Sequence, residues 1–372
     1  MSKYDYSTQC IEDDDMDGVI EVLKSPFGAQ GQKVAEFEKA LCTYTGAKHA
    51  ITFNSATSAL FGAYSACGIT SGDEIITTPI SFVATSNMFI SLGAKPVWCD
   101  VKLDGNIDEK CIEKLITPKT RAIVPVDFAG KPVEIEKINS IAKKHNLLVI
   151  QDSSHALGSS IHGKKIGSFS DMTIFSFHAI KPITTSEGGA VLTDNDDYAA
   201  KLRLIRSHGM VKKELWHSDM VSQGYNFRMT EVAASLGITQ MKKLDRFIET
   251  RNSIASYYNE RFKDEKLFSI IKIDKNTKTS RHLYPILLAP QLHSFKEEIF
   301  KEFQLHELGV QVHYKPIYQN SFYKETFGEI SLPVAEDFYT SEISIPCHQK
   351  ISMQDAKYIA DTILNIIHKY PR

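Results

Sequence analysis

Between residues 49 and 193, short apolar runs alternate with stretches of helical spacing. HAITF, EIITT, KPVWCDV, RAIVPV, LLVIQD and MTIFSF have the length of strands. Between most of them lie helix-like segments such as ATSALFGAYSACG and EIEKINSIAKKHN, the second placing Ile135, Ile138, Ile141 and Ala142 on one face. Strands alternating with helices predict a largely parallel sheet covered on both faces. A continuously apolar strand such as LLVI fits burial on both sides.

The flanks follow other patterns. GQKVAEFEKALCTYTG reads as a helix with Val34, Phe37, Leu41 and Tyr44 at helical spacing, stopped by Gly46. Residues 229–264 read as one long helix that contains Gly237 but no proline. Beyond it, HLYPILL and VQVHYK predict strands among helices, the pattern of a smaller α/β unit. The expected division is a large domain over 1–228, a linking helix over 229–264 and a small C-terminal domain over 265–372. A chain of 372 residues is long for one core, which agrees with two domains.

Composition narrows the class. With 42% hydrophobic residues, 24% charged residues and a formal net charge of −2, the chain resembles an ordinary globular enzyme. That balance does not point to nucleic acid or to an anionic membrane surface. No apolar run approaches the roughly 20 residues that span a bilayer. MSKYDYSTQCIEDDDMDG is polar and acidic, and the six cysteines form no CxxC pair, so reduced thiols and a cytoplasmic location are expected.

Several motif matches fail on chemistry. Residues 158–165 (GSSIHGKK) end in Lys165 where a P-loop needs Ser or Thr. The stretch from Asp100 to Cys111 puts Lys102 and Cys111 where a calcium loop needs oxygen ligands. His306-Glu307 has no second histidine four residues on, and GxGxxG is missing from the chain, so neither a zinc site nor a dinucleotide fold is indicated. No metal is expected.

Three segments at strand ends survive. HAITF runs into NSATSAL, where the N–H groups of Ala56 and Thr57 at a helix start suit a phosphate. LLVIQDSSHALGS closes a buried strand with Asp152, followed by His155; a carboxylate there needs a cation or hydrogen bonds. MTIFSFHAIKPITTSEGGAVLTD places Lys181 among small and apolar residues with no polar helix face to hold it. A lysine drawn into a dry site becomes a nucleophilic amine. Ligands of open α/β sheets bind beyond the carboxyl ends of the strands, so the three segments make one site. A phosphate cradle, a carboxylate and a buried lysine are the parts that pyridoxal 5'-phosphate (PLP) needs.

NSATSAL, PISFVATSN, DSSHALGS, SFHAIKPITTSEGGAV and YNFRMTEVAASLG together resemble the sugar aminotransferases of the DegT/DnrJ/EryC1/StrS family over nearly the whole chain. The resemblance implies an aspartate-aminotransferase-like α/β fold (fold type I), with a mostly parallel central sheet and a smaller C-terminal α/β domain. YDYS, ITTPISFVAT, RSHGM, VHYKPIY and AEDFYxxEISxPCH are similar to the pseudaminic-acid branch of that family. That branch aminates carbon four of a UDP-linked 4-keto-6-deoxy-N-acetylhexosamine with L-glutamate as donor, and its pathway decorates flagellin.

Position by position, the resemblance implies these roles. Lys181 and Asp152 are catalytic, Lys181 binding the cofactor aldehyde and moving protons, Asp152 pairing with the ring nitrogen. His155 touches the ring hydroxyl, Phe82 stacks on the ring, and Ala56, Thr57 and Ser176 hold the phosphate. Asn226 reaches the site from the neighbouring subunit of a homodimer. Tyr6, Pro26, Phe27, Gly28, Ala29, His313, Tyr314, Lys315 and Pro316, with Ala56, Ser176 and Asn226, hold the nucleotide-sugar. One departure is Ser186, where the family commonly has glycine. Transfer to another nucleotide-linked 4-keto sugar, and sugar-nucleotide binding without catalysis, are the alternatives; dehydratases of this type replace the lysine by histidine.

Overall fold

The computed structural model describes residues 2–370. Its centre is a seven-stranded sheet of β1 (His49–Phe53), β2 (Glu74–Thr77), β3 (Lys95–Trp98), β4 (Thr120–Val124), β5 (Leu148–Asp152), β6 (Met172–Ser176) and β7 (Gly189–Thr193). The spatial order is β1-β7-β6-β5-β4-β2-β3. Every neighbouring pair is parallel except the two made by β7, which runs against both β6 and β1. The mostly parallel α/β sheet expected from the alternation is therefore present.

β7 is the strand the periodicity did not give. Gly188-Gly189 reads as loop punctuation, yet GAVLT is buried at every position. Gly189 stands opposite both Phe53 and Ser176, so β7 begins where its two neighbours end. A Cβ at Gly189 would lie 2.5 Å from the Ala56 nitrogen, so only glycine lets the sheet approach the next helix this closely.

Helix α1 (Lys33–Thr45) ends at Gly46 with φ +80°, as its pattern predicts. Helix α2 (Ala56–Ala66) starts at Ser55, whose hydroxyl accepts the Ser58 N–H and so caps it, worth about 1 kcal/mol. Helix α3 (Ala84–Ile90) follows β2, and α4 (Ile135–His145) buries Ile135, Ile138 and Ala142.

Helix α5 (Glu231–Phe262) has 32 residues and serves two cores. Leu244, Phe247 and Ile248 pack under the central sheet with Phe175 and Phe177, while Ile254, Ala255, Tyr258 and Phe262 join the C-terminal core. Between these stretches sits Arg251, fully buried, its Nη1 donating to the carbonyls of Arg281, His282 and Cys347 and its Nε to Gln349.

The C-terminal part holds an antiparallel sheet in the order β8 (Phe268–Ile270), β9 (Tyr284–Leu288), β10 (Glu342–Ile345), with α6 (Lys296–Leu305) and α7 (Met353–Ile367) packed beside it. VQVHYK is not the strand its alternation predicts. Only Gln311 makes a bridge, to Ser344. The Val312 N–H goes to the Gln311 side-chain oxygen, the His313 N–H goes to the Glu342 carboxyl, and Pro316 has no N–H to give. Tyr4–Asp5 crosses to this part of the molecule and pairs in parallel with Leu308–Gly309.

Candidate functional site

The carboxyl ends of β1, β2, β4, β5 and β6 open into one cleft of about 590 Å³. Ser55, Ala56 and Thr57 after β1, Ser81 and Phe82 after β2, Val126 after β4, Asp152, Ser154 and His155 from β5, and Ser176, His178 and Lys181 from β6 line it. Tyr6, Gln311, Val312, His313 and Tyr314 come from outside the sheet and form the opposite wall.

At one end lies the start of α2. Its first N–H groups, those of Ala56 and Thr57, have no acceptor within the helix, and the helix dipole makes that end positive. The Ser176 hydroxyl lies in the same cleft. Such a corner suits an anionic group.

Asp152 is buried at the end of β5, with its carboxylate held on both oxygens. Thr85 Oγ1 donates to Oδ2 at 2.7 Å, and Ser154 donates to Oδ1 through Oγ at 2.6 Å and through its N–H at 3.1 Å. Thr85 is in turn 2.8 Å from Ser81. These partners orient the carboxylate and offset part of its burial.

Lys181 follows β6 in a turn closed by its own N–H to the His178 carbonyl. Burial pushes its amine from 10.5 down to about 7, against a smaller upward pull from Asp152. A large fraction of this amine is therefore the free base at neutral pH. Its Nζ lies 3.4 Å from His282 Nε2. His282 packs 4.4 Å, ring to ring, from His155, and His155 Nε2 lies 3.3 Å from the Tyr314 hydroxyl. Burial first, and the charge of Lys181 second, hold both histidines well below their usual range, hence neutral. His155 Nδ1 is buried without a partner among the described residues.

Phe82 is 60% exposed although it lines a largely buried cleft, with its ring 6.5 Å from that of Tyr314. An exposed aromatic face in a pocket is a platform for a flat ring.

Of the residues expected from sequence, the cleft brings together Tyr6, Ala56, Thr57, Phe82, Asp152, His155, Ser176, Lys181, His313 and Tyr314. Others lie outside it in this single chain. Pro26, Phe27, Gly28 and Ala29 are exposed, and the Gly28 carbonyl accepts the Glu231 N–H. Asn226 is exposed and bridges to Ser207. Lys315 is exposed, and Pro316 is buried away from the cleft. Thr85, Ser154 and His282 were not foreseen. Ser154 had a local signal, being two residues from Asp152; Thr85 and His282 reach the site only through the fold, His282 on a turn that Arg251 clamps. Ser186 adopts φ +68°, the left-handed region that explains glycine as the common residue there, and its N–H is held by Thr184 Oγ1 at 2.8 Å.

Comparison with known proteins agrees with this geometry. A transaminase of Campylobacter jejuni, strain 81-176, named UDP-4-amino-4,6-dideoxy-N-acetyl-beta-L-altrosamine transaminase, is 51% identical over 98% of this chain and 97% of its own length. The Helicobacter pylori protein of the same name is 46% identical over 100% of this chain and 99% of its length. The solved structure of Helicobacter pylori PseC, described as an aminotransferase involved in the biosynthesis of pseudoaminic acid, superposes with a TM-score of 0.96 at 45% identity, covering 99% of this chain and 100% of that one. The PLP form of the Streptococcus pneumoniae sugar aminotransferase Spr1654 superposes at 0.93 with 28% identity, covering 98% and 99%. Residues 9–364 match the family profile, and the chain belongs to the DegT/DnrJ/EryC1/StrS aminotransferase family.

Proposed function

We propose that this protein is a PLP-dependent aminotransferase that aminates carbon four of UDP-2-acetamido-2,6-dideoxy-β-L-arabino-hexos-4-ulose in pseudaminic acid biosynthesis. The observation that carries the reading is Lys181: a partly buried primary amine, brought down to about 7 by desolvation, in a cleft that also holds the fixed carboxylate of Asp152. Relatives with the altrosamine transaminase name, about half identical over full length, support the substrate.

The residues present fit the cofactor. The start of α2, which a Cβ on Gly189 would crowd, and the Ser176 hydroxyl suit its phosphate. Asp152 suits its protonated ring nitrogen, the open face of Phe82 its ring, and the unpartnered His155 Nδ1 its ring hydroxyl. When bound, PLP supplies an aldehyde that takes up an amino group and a ring that draws electrons from the adjacent carbon. The chain supplies the rest. Lys181 Nζ would hold the cofactor's aldehyde at rest and, once displaced by the donor's amino group, would take a proton from the donor's α carbon as a free base. It later returns a proton to carbon four of the sugar. Asp152 stabilises positive charge opposite it. Val126, Phe82 and Ile180 add apolar surface to the lining of the cleft.

L-glutamate is the proposed amino donor and a homodimer the proposed assembly, with Asn226 and the 26–29 segment completing the other copy's cleft. Two observations support the dimer. Those residues are exposed, and the hairpin of Met210–Lys212 with Ser218–Met220 carries Leu215 and Trp216 at 86% and 83% exposure. A cytoplasmic site of action and a role in flagellin glycosylation follow from the pathway assigned.

The test is to incubate the PLP-loaded protein with glutamate and a panel of UDP- and GDP-linked 4-keto sugars. The expected product is UDP-4-amino-4,6-dideoxy-N-acetyl-β-L-altrosamine, identified by mass and NMR. A product only from another sugar would overturn the substrate; no amino transfer to any sugar would overturn the activity.

A further inference from the structure

The wall of the cleft opposite the sheet carries a relay of three side chains that the transamination steps leave unused. Glu342 opens β10 and is completely buried. Its Oε2 accepts the backbone N–H of His313 at 2.6 Å, and its Oε1 lies 2.5 Å from Ser344 Oγ. Ser344 Oγ lies 2.9 Å from His313 Nδ1. His313 is 4% exposed and lines the cleft between Tyr6, whose ring is 5.0 Å away, and Tyr314. Nδ1 is thus engaged by Ser344, whereas Nε2 makes no hydrogen bond among the described residues.

A hydroxyl has one proton, so this relay has two senses. In the first, Ser344 donates to Glu342 and accepts from Nδ1–H, which leaves Nε2 a bare acceptor. In the second, a proton on Glu342 is donated to Ser344, Ser344 donates to Nδ1, and the imidazole proton sits on Nε2. The surroundings choose between them. An ionised carboxylate in a dry interior is costly without a paired cation. Lys296, the cation whose charge reaches Glu342, donates its Nζ to the Tyr339 carbonyl at 2.6 Å instead. Burial raises the Glu342 carboxyl, outweighing the lowering pull of its hydrogen bonds to Ser344 and the His313 N–H and of the Lys296 charge, and so favours its protonated form. His313 itself is neutral, held down to about 3 by burial first and by Lys181 second.

We infer that Glu342 is a positioning residue that acts through Ser344 to hold His313 in the tautomer with its proton on Nε2, presenting the cleft with a neutral donor for an oxygen of the sugar substrate. A neutral donor reads a carbonyl or hydroxyl oxygen without placing a second cation near Lys181. The identity of that substrate rests on the aminotransferase reading; the relay rests on Glu342, Ser344 and His313 alone.

The holoenzyme labelled with 15N-histidine tests it. His313 is identified by the signal lost in His313→Gln. Its two ring nitrogens are expected at shifts of the Nε2–H tautomer. Ser344→Ala removes the middle of the relay and leaves the backbone hydrogen bond, and it is expected to give a mixture of tautomers. The KM for the nucleotide-sugar rises as the Nε2–H fraction falls, about twofold for an equal mixture, while kcat is unchanged. Glu342→Ala is expected to do the same. Glu342→Gln must turn its oxygen to the His313 N–H and its amide N–H to Ser344, which reproduces the second sense, so tautomer and KM are restored. An Nδ1–H tautomer in the unaltered protein, or an unchanged KM in Ser344→Ala, overturns the inference. If Glu342→Ala fails to fold, Ser344→Ala decides. If the unaltered protein aminates no sugar, the functional reading fails and the NMR result alone judges the relay.

Discussion

The two walls of the cleft are built by opposite strategies. The sheet-side wall collects residues from the ends of parallel strands, so Ala56, Phe82, Asp152 and Lys181 sit at places the topology itself brings together. The opposite wall is assembled from pieces remote in sequence: Tyr6 from the N-terminus, and Gln311, His313 and Tyr314 from an irregular segment between α6 and β10. The comparison teaches that a fold dedicates its regular architecture to the constant chemistry of nitrogen transfer. What varies between sugars is met by segments outside the central sheet, pinned only at single points such as Gln311–Ser344 and His313–Glu342.

Substitutions on the two walls should separate these duties. The largest effect is expected from Lys181→Ala, which removes the amine. Absorbance of the bound cofactor near its lysine-linked maximum disappears, and turnover falls at least about a thousandfold. Retained turnover would place the chemistry elsewhere. Asp152→Asn keeps the shape and removes the charge, so kcat is expected to fall on the order of a hundredfold. It carries a signed pH effect as well. Asp152 pulls the Lys181 amine up, so its loss moves that group further below about 7, and chemical modification of Lys181 in cofactor-free protein shifts to lower pH. A shift to higher pH would contradict the proximity of the two groups.

Gly189→Ala tests the cradle at the start of α2. A methyl group pressed on the Ala56 backbone costs about 1–3 kcal/mol and weakens cofactor affinity, measured by melting and by cofactor titration. Tyr6→Phe, on the other wall, is expected to raise the KM for the sugar only a few-fold, the worth of one hydrogen bond, with the cofactor spectrum unchanged. An altered spectrum would break the division of labour. Ser186→Gly is expected to be smallest, stabilising by at most about 1 kcal/mol because glycine adopts φ +68° freely.

The same contrast governs what the sequence revealed. The strand ends were legible because a buried apolar run followed by a charged or hydroxyl residue is a local pattern. Asp152 and Lys181 each ended or followed one. β7 was hidden by Gly188-Gly189, since a glycine pair reads as a turn until the close approach to Ala56 shows why side chains are excluded. VQVHYK alternates like a strand but gives a donor to Glu342 instead of to a ladder. His282 and Thr85 carry no local signal, because only tertiary contacts bring them to Lys181 and Asp152. The 26–29 segment and Asn226 rested on resemblance alone, and a single chain leaves both outside the cleft.

The pairing of Tyr4–Asp5 with Leu308–Gly309 has a consequence for biogenesis. Tyr6 stands one residue past that pairing, so its place is set only once Leu308–Gly309 has been made. A nascent chain that has already gathered Lys181 and Asp152 still lacks the surface that receives the sugar. Competence toward sugar nucleotides thus waits on the part of the chain that supplies Leu308–Gly309.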